Sequence, residues 1–76
     1  MRGWPMAETR TRLKVAYVGR DMASVPTVRV DLEFNKDGVK LYGCTQRTFH
    51  RNNIDEAQAK ANQLLKDGLV QEVREM

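Results

Sequence analysis

The hydrophobic and polar positions of this chain change period once, near Asn53. Before that residue they alternate, as in strands half-buried in a sheet. After it they recur at three- and four-residue spacing, as on an amphipathic helix. From Thr11 to Val18 the alternation predicts a first strand, with Leu13, Val15 and Tyr17 on its inner face and Arg12, Lys14 and Ala16 on its outer face. Gly19-Arg20-Asp21 signals a turn, and a loop continues through Met22 to Pro26. The second strand has the cleanest pattern, Val28, Val30, Leu32 and Phe34 alternating with Arg29, Asp31 and Glu33.

Asn35-Lys36-Asp37-Gly38 predicts a tight hairpin, because an Asp-Gly pair adopts positive φ at little cost. The third strand is expected from Val39 to about Phe49, with Val39 and Leu41 inward and Lys40, Tyr42 and Cys44 outward. Gly43 interrupts it and is the expected site of a bulge.

Asn53-Ile54-Asp55-Glu56 then reads as a capping box, an asparagine whose side chain satisfies a free N–H with a glutamate three residues on. The helix it opens should run to about Lys66, with Ile54, Ala57, Ala61, Leu64 and Leu65 as its apolar stripe. The alanines permit close approach to a sheet. Asp55 and Glu56 in the first turn and Lys66 in the last complement the helix dipole, and Glu56 is placed to pair with Lys60. Gly68 is the expected terminating residue, and Leu69 to Val73 a short fourth strand. The expected fold is therefore α+β, a three- to four-stranded, mostly antiparallel sheet with one helix on one face, in the order β-β-β-α-β. Residues 1–10 read as a flexible arm and 11–76 as a single domain. Met6-Ala7-Glu8-Thr9 also reads as an ordinary opening.

Composition narrows the chemistry. A 76-residue domain buries only about 60% of its unfolded surface, so its stability calls for outside help. One cysteine and one histidine make neither an internal disulfide nor a zinc site. No metal or cofactor is expected, and a reducing, cytoplasmic setting is. No apolar run approaches a membrane span. Homodimerisation or docking on a larger partner remains as the source of added stability. For catalysis, the scattered glycines form no phosphate-cradling loop. Cys44 and His50 lack an orienting third group. Cys44 is expected to be a buried or half-buried, inert side chain, His50 a polar residue of the strand-to-helix loop, and the Asp55-Glu56 carboxylates helix-start residues. The expectation is a protein without enzymatic activity.

The net charge is +3, and its distribution matters more than its size. Basic residues gather in the first and third strand regions, acids in the second strand and the helix. Arg47, His50 and Arg51 fall just before the helix start, where the dipole favours a phosphate or a partner carboxylate. Arg10, Arg12, Lys14, Lys40 and Tyr42 are the candidates for contact with nucleic acid. In a three-strand meander Asp31 and Glu33 are expected to stand between Arg12 and Lys14 on one side and Lys40 on the other. Such cross-strand pairs would cancel much of a positive face.

Three strands followed by one helix opened by Asp55-Glu56-Ala57, with Ala61 later, resemble in topology the arm-type DNA-binding domains of tyrosine integrases. That resemblance implies a DNA groove laid against the exposed sheet face. In size and layout the chain is also similar to phage and mobile-element accessory proteins that dock on a polymerase or nuclease complex. The leading expectation is a non-enzymatic module that docks on and modulates a larger protein or nucleoprotein assembly, as an accessory protein or inhibitor. Direct DNA or RNA binding by the sheet face is the alternative, and an enzyme using Cys44 a weaker third.

Overall fold

The computed structural model describes residues 10–76. Three long strands, β1 (Arg10–Arg20), β2 (Pro26–Lys36) and β3 (Val39–His50), precede helix α1 (Ile54–Lys66) and a short β4 (Glu72–Glu75). They form one sheet in the order β3-β2-β1-β4. The first three strands make the antiparallel meander, and β4 joins β1 in parallel. The α+β architecture and element order match the sequence pattern. Arg10 opens β1 rather than ending an arm, and residues 1–9, Arg2 and Trp4 among them, lie outside the described residues. No helix among the described residues is long and apolar enough to cross a membrane.

The last strand begins later than Leu69. Val70 is needed beneath the helix, where it is fully buried. Pairing starts only with Gln71, whose N–H donates to the Lys14 carbonyl at 2.8 Å.

Which face is which differs from the pattern. Residues directly opposite one another across a sheet project to the same side. Ala16 pairs with Val30 and Val18 with Val28, and these four lie under α1 with Ala57, Ala61, Leu64 and Val70. Leu13, Val15 and Tyr17, expected inside, lie on the face away from α1 with Asp31 and Glu33, where Val15 is nonetheless fully buried. The physical reason is that the second half of β1, Val15 to Val18, is apolar in both phases. The helix presents alanines, so it seats against the smaller pair Ala16 and Val18. Tyr17 takes the side where its hydroxyl finds Glu33.

The third strand carries two bulges, at Leu41 and at Gln46, where one residue is inserted between successive pairs. Gly43, the expected bulge, pairs regularly with Glu33. Its absent side chain leaves room instead, since a Cβ there would lie 3.3 Å from Lys40 Cε and from the Leu32 carbonyl. The Leu41 bulge reverses the expected orientation from Tyr42 onward: Tyr42 and Cys44 share the helix side with Phe34 and Leu32, whereas Val39 and Lys40, before the bulge, face as the pattern has them.

The turn and the helix ends follow local chemistry closely. Asp37 and Gly38 adopt φ of 52° and 80°, the left-handed pair of a two-residue hairpin. Asn53 Oδ1 accepts from the Glu56 N–H at 2.8 Å, and its Nδ2 donates to Glu56 Oε2 at 3.0 Å. At the other end Gly68, at φ 77°, donates to Leu65, and Leu69 donates to Leu64, closing a Schellman motif. Ile54 and Leu65 remain partly exposed at the margins of the stripe.

Candidate nucleic-acid interface

An 11-residue strand spans about 36 Å, whereas the 13-residue helix spans only about 20 Å. The helix covers Ala16, Val18, Val28 and Val30 and leaves the other half of its own side of the sheet bare. On that bare shelf the register sets three rows across β1, β2 and β3. They are Arg10, Lys36 and Val39 at the hairpin end, then Arg12, Phe34 and Tyr42, then Lys14, Leu32 and Cys44 beside the helix.

Arg12 and Lys14 therefore stand opposite Phe34 and Leu32, not beside Asp31 and Glu33. The expected cancellation of their charge does not occur. Asp31 and Glu33 are on the far face, and of the strand acids only Glu75, opposite Val18 at the distal end, shares the helix side. Arg12, Lys14, Arg47, Arg51 and Lys60 make no ion pair among the described residues. The register thus places Asp31, Glu33 and their partners on one side, and Arg12, Lys14 and Arg47 on the other.

Within the second row three planar groups stack side by side. The Phe34 and Tyr42 rings lie 4.7 Å apart at 21°, and the Arg12 guanidinium lies 5.7 Å from the Phe34 centroid. Tyr42 ends the stack on the outermost strand and is 60% exposed. A cavity of about 270 Å³ adjoins it, lined by Arg12, Phe34, Leu41 and Tyr42 among others.

A second cluster marks where the shelf meets the helix. Three cations surround the half-buried Phe49 ring, with Arg47 Cζ at 5.2 Å, Arg51 Cζ at 5.6 Å and Lys60 Nζ at 4.6 Å from its centroid. The ring's negative faces hold together charges that repel one another. Lys60 does not pair with Glu56, which is engaged by Asn53. Between this cluster and the stack lies a groove of about 180 Å³, bordered by Lys14, Arg47, Leu64 and Leu69. Of the expected trio, Arg47 and Arg51 meet over Phe49. His50 leaves it, projecting with Thr27 to the far face, where its Nε2 is 3.5 Å from Asp21 Oδ2.

No known family, curated protein or solved structure gives a match to this chain.

The far face is occupied by a neutral network. Glu33, 1% exposed, accepts from the Tyr17 hydroxyl, from Arg74 Nη1 at 3.1 Å and from Lys40 Nζ at 3.5 Å. Burial pushes its carboxyl upward, but the Tyr17 hydroxyl, Arg74 and Lys40 outweigh that and hold it below the ordinary value. Arg74 is raised in turn, through its bond to Glu72 first and that to Tyr17 next. Asp31 accepts from Arg29 Nε at 3.0 Å and from Thr45 Oγ1 at 2.9 Å. Lys40 is therefore engaged by Glu33 on the far face, whereas Arg10, Arg12, Lys14 and Tyr42 lie on the helix side.

Cys44, expected to be buried or half-buried, is exposed on β3, because the helix stops short of its row. It faces the helix side while His50 faces away, so no Cys–His pair assembles. Phe34, Phe49 and Lys60 were missed as site residues. Lys60 had a readable signal: it lies three residues after Ala57 on the buried stripe, so its stem must cross the sheet.

Proposed function

We propose that this chain binds nucleic acid, and that the shelf beside the helix, not the open face of the sheet, is the contact surface. The observation that carries the reading is the separation of charge by register: Arg12, Lys14 and Arg47 stand without carboxylates on the side that also holds Phe34 and Tyr42. A phosphate backbone needs several uncancelled cations within a Debye length, and stacked aromatics supply contact with bases. Arg51 and Lys60 extend the same basic surface around Phe49. The topological likeness to integrase arm-binding domains places the ligand on the opposite face, where Arg29, Lys40 and Arg74 are already engaged by Asp31, Glu33 and Glu72.

The test is a titration of a labelled mixed-sequence oligonucleotide across a range of salt. With about five cations engaged on a single strand, the affinity should fall with a log–log slope of about 3 to 4. Arg12→Glu and Lys14→Glu should each weaken binding to every sequence and lower the slope by about one or more. Lys66→Gln, in the last turn of α1, should change neither. No binding at low salt would sink the proposal.

A second reading is favoured by the outer edge of β3, which has no partner strand among the described residues. Such an edge accepts a strand from another protein, as the accessory or inhibitor type of module requires. Affinity capture with and without nuclease separates the two: a stoichiometric protein partner retained after nuclease treatment favours docking.

A further inference from the structure

We infer that the ligand of the shelf is single-stranded, and that one of its bases continues the Arg12–Phe34–Tyr42 stack on the outer face of Tyr42. This rests on the nucleic-acid reading above and adds to it the form of the ligand and the place of a base.

The three groups occupy one row of the sheet, Arg12 paired with Phe34 and Phe34 with Tyr42. Each layer therefore sits on the next across neighbouring strands, guanidinium on phenyl on phenol. A stack of planar groups gains by adding another plane, and here it stops at the edge of the sheet. Tyr42 is 60% exposed, and no strand lies beyond β3 among the described residues. A nucleobase is the planar group that arrives with a phosphate attached, and Arg12, Lys14 and Arg47, which make no ion pair among the described residues, ask for that phosphate. Along β3, Tyr42 and Phe49 are seven residues apart with one bulge residue between, or about 20 Å. A strand following this edge meets the aromatic platform at one end and Arg47, Arg51 and Lys60 at the other.

Duplex DNA fits this arrangement poorly. Its bases are already stacked on one another, so the outer face of Tyr42 would stay unused. The helix end, with Leu64 and Leu69 bordering the groove, also rises about one layer, or ~10 Å, above the shelf and obstructs a rigid rod. A flexible single strand can bend along the step and turn out a base.

The experiment compares, at one salt concentration, a fluorescein-labelled oligo(dT) of about 12 nucleotides, an abasic strand of the same length and a duplex of the same length. The oligo(dT) should bind tightest, and loss of its bases should weaken it by ~5- to 100-fold. Tyr42→Leu should lower affinity for oligo(dT) by a similar factor, leave the abasic strand unaffected and keep the salt slope. Tyr42→Trp should restore binding. Equal binding of oligo(dT) and the abasic strand, or preference for the duplex, overturns the inference even if the variant fails to fold. So does a Tyr42→Leu effect on the sedimentation of the free protein alone, which would make the edge a contact with a second copy. If Arg12→Glu and Lys14→Glu weaken binding while removal of bases does not, the nucleic-acid reading stands and only the stacking site falls.

Discussion

Glu33 is buried on a face with no covering layer, and what covers it is the set of side chains it binds. Tyr17, Arg74 and Lys40 come from β1, β4 and β3, so one carboxylate on β2 joins all four strands. Its folded-state pKa lies below the ordinary value of 4.5. A carboxylate depressed on folding contributes stability that is fully present above the unfolded pKa and is lost as pH falls through the folded one. Glu33→Gln should therefore cost about 1–3 kcal/mol at neutral pH, because Arg74 and Lys40 are half-exposed and regain water once released. The difference between the two proteins should shrink below about pH 4.5. Urea unfolding at several pH values measures it, and a gap unchanged at low pH would contradict the assignment. Lys40 as a partner of Glu33 was legible in the sequence, since both sit on neighbouring strands near a hairpin. Arg74 was not, because a contact 41 residues away that reaches from β4 across β1 to β2 leaves no local pattern.

The elements were legible where local chemistry decides them. Asp37-Gly38, Asn53 and Gly68 each satisfy a backbone requirement within a few residues, and each stands where the pattern placed it. Asn53→Ala removes the bond to the Glu56 N–H and that to its carboxylate. It should cost about 1 kcal/mol and lower the Tm by about 4–8 °C, read by thermal circular dichroism. The faces of the strands were less legible. Leu13, Val15 and Tyr17 outweigh Ala16 and Val18 on a hydrophobicity count, yet the helix packs on the smaller pair. The bulges at Leu41 and Gln46 carry no glycine to announce them, and the first of them turns Tyr42 toward Phe34.

For the whole molecule, the mismatch between long strands and a short helix is what creates a surface. The covered half is a thin core of valine, alanine and Leu64, with Phe49 and Val73 at its margins. The bare half carries Arg12, Lys14, Phe34 and Tyr42. Local stability should follow the cover. Amide hydrogen exchange of the free protein should be at least about tenfold slower at Val28 and Val30 than at Leu32 and Phe34, although all four share the central strand β2. Uniform protection along β2 would show that the shelf is as cooperative as the core. Binding of the proposed ligand should then slow exchange at Phe34 and Tyr42 first.

The sequence by itself determined the number, order and ends of the elements, because alternation, helical periodicity, caps and turns are local effects. It also supplied the basic and aromatic residues. Only the tertiary structure decided which of them meet. Register is a non-local choice, and where β1 is apolar on both sides, from Val15 to Val18, the helix makes it, by the fit of Ala57 and Ala61 against Ala16 and Val18. That one choice puts Asp31 and Glu33 on the far face and leaves Arg12 and Lys14 with uncancelled charge. It turns an apparent ladder of ion pairs into a basic shelf that ends on Tyr42.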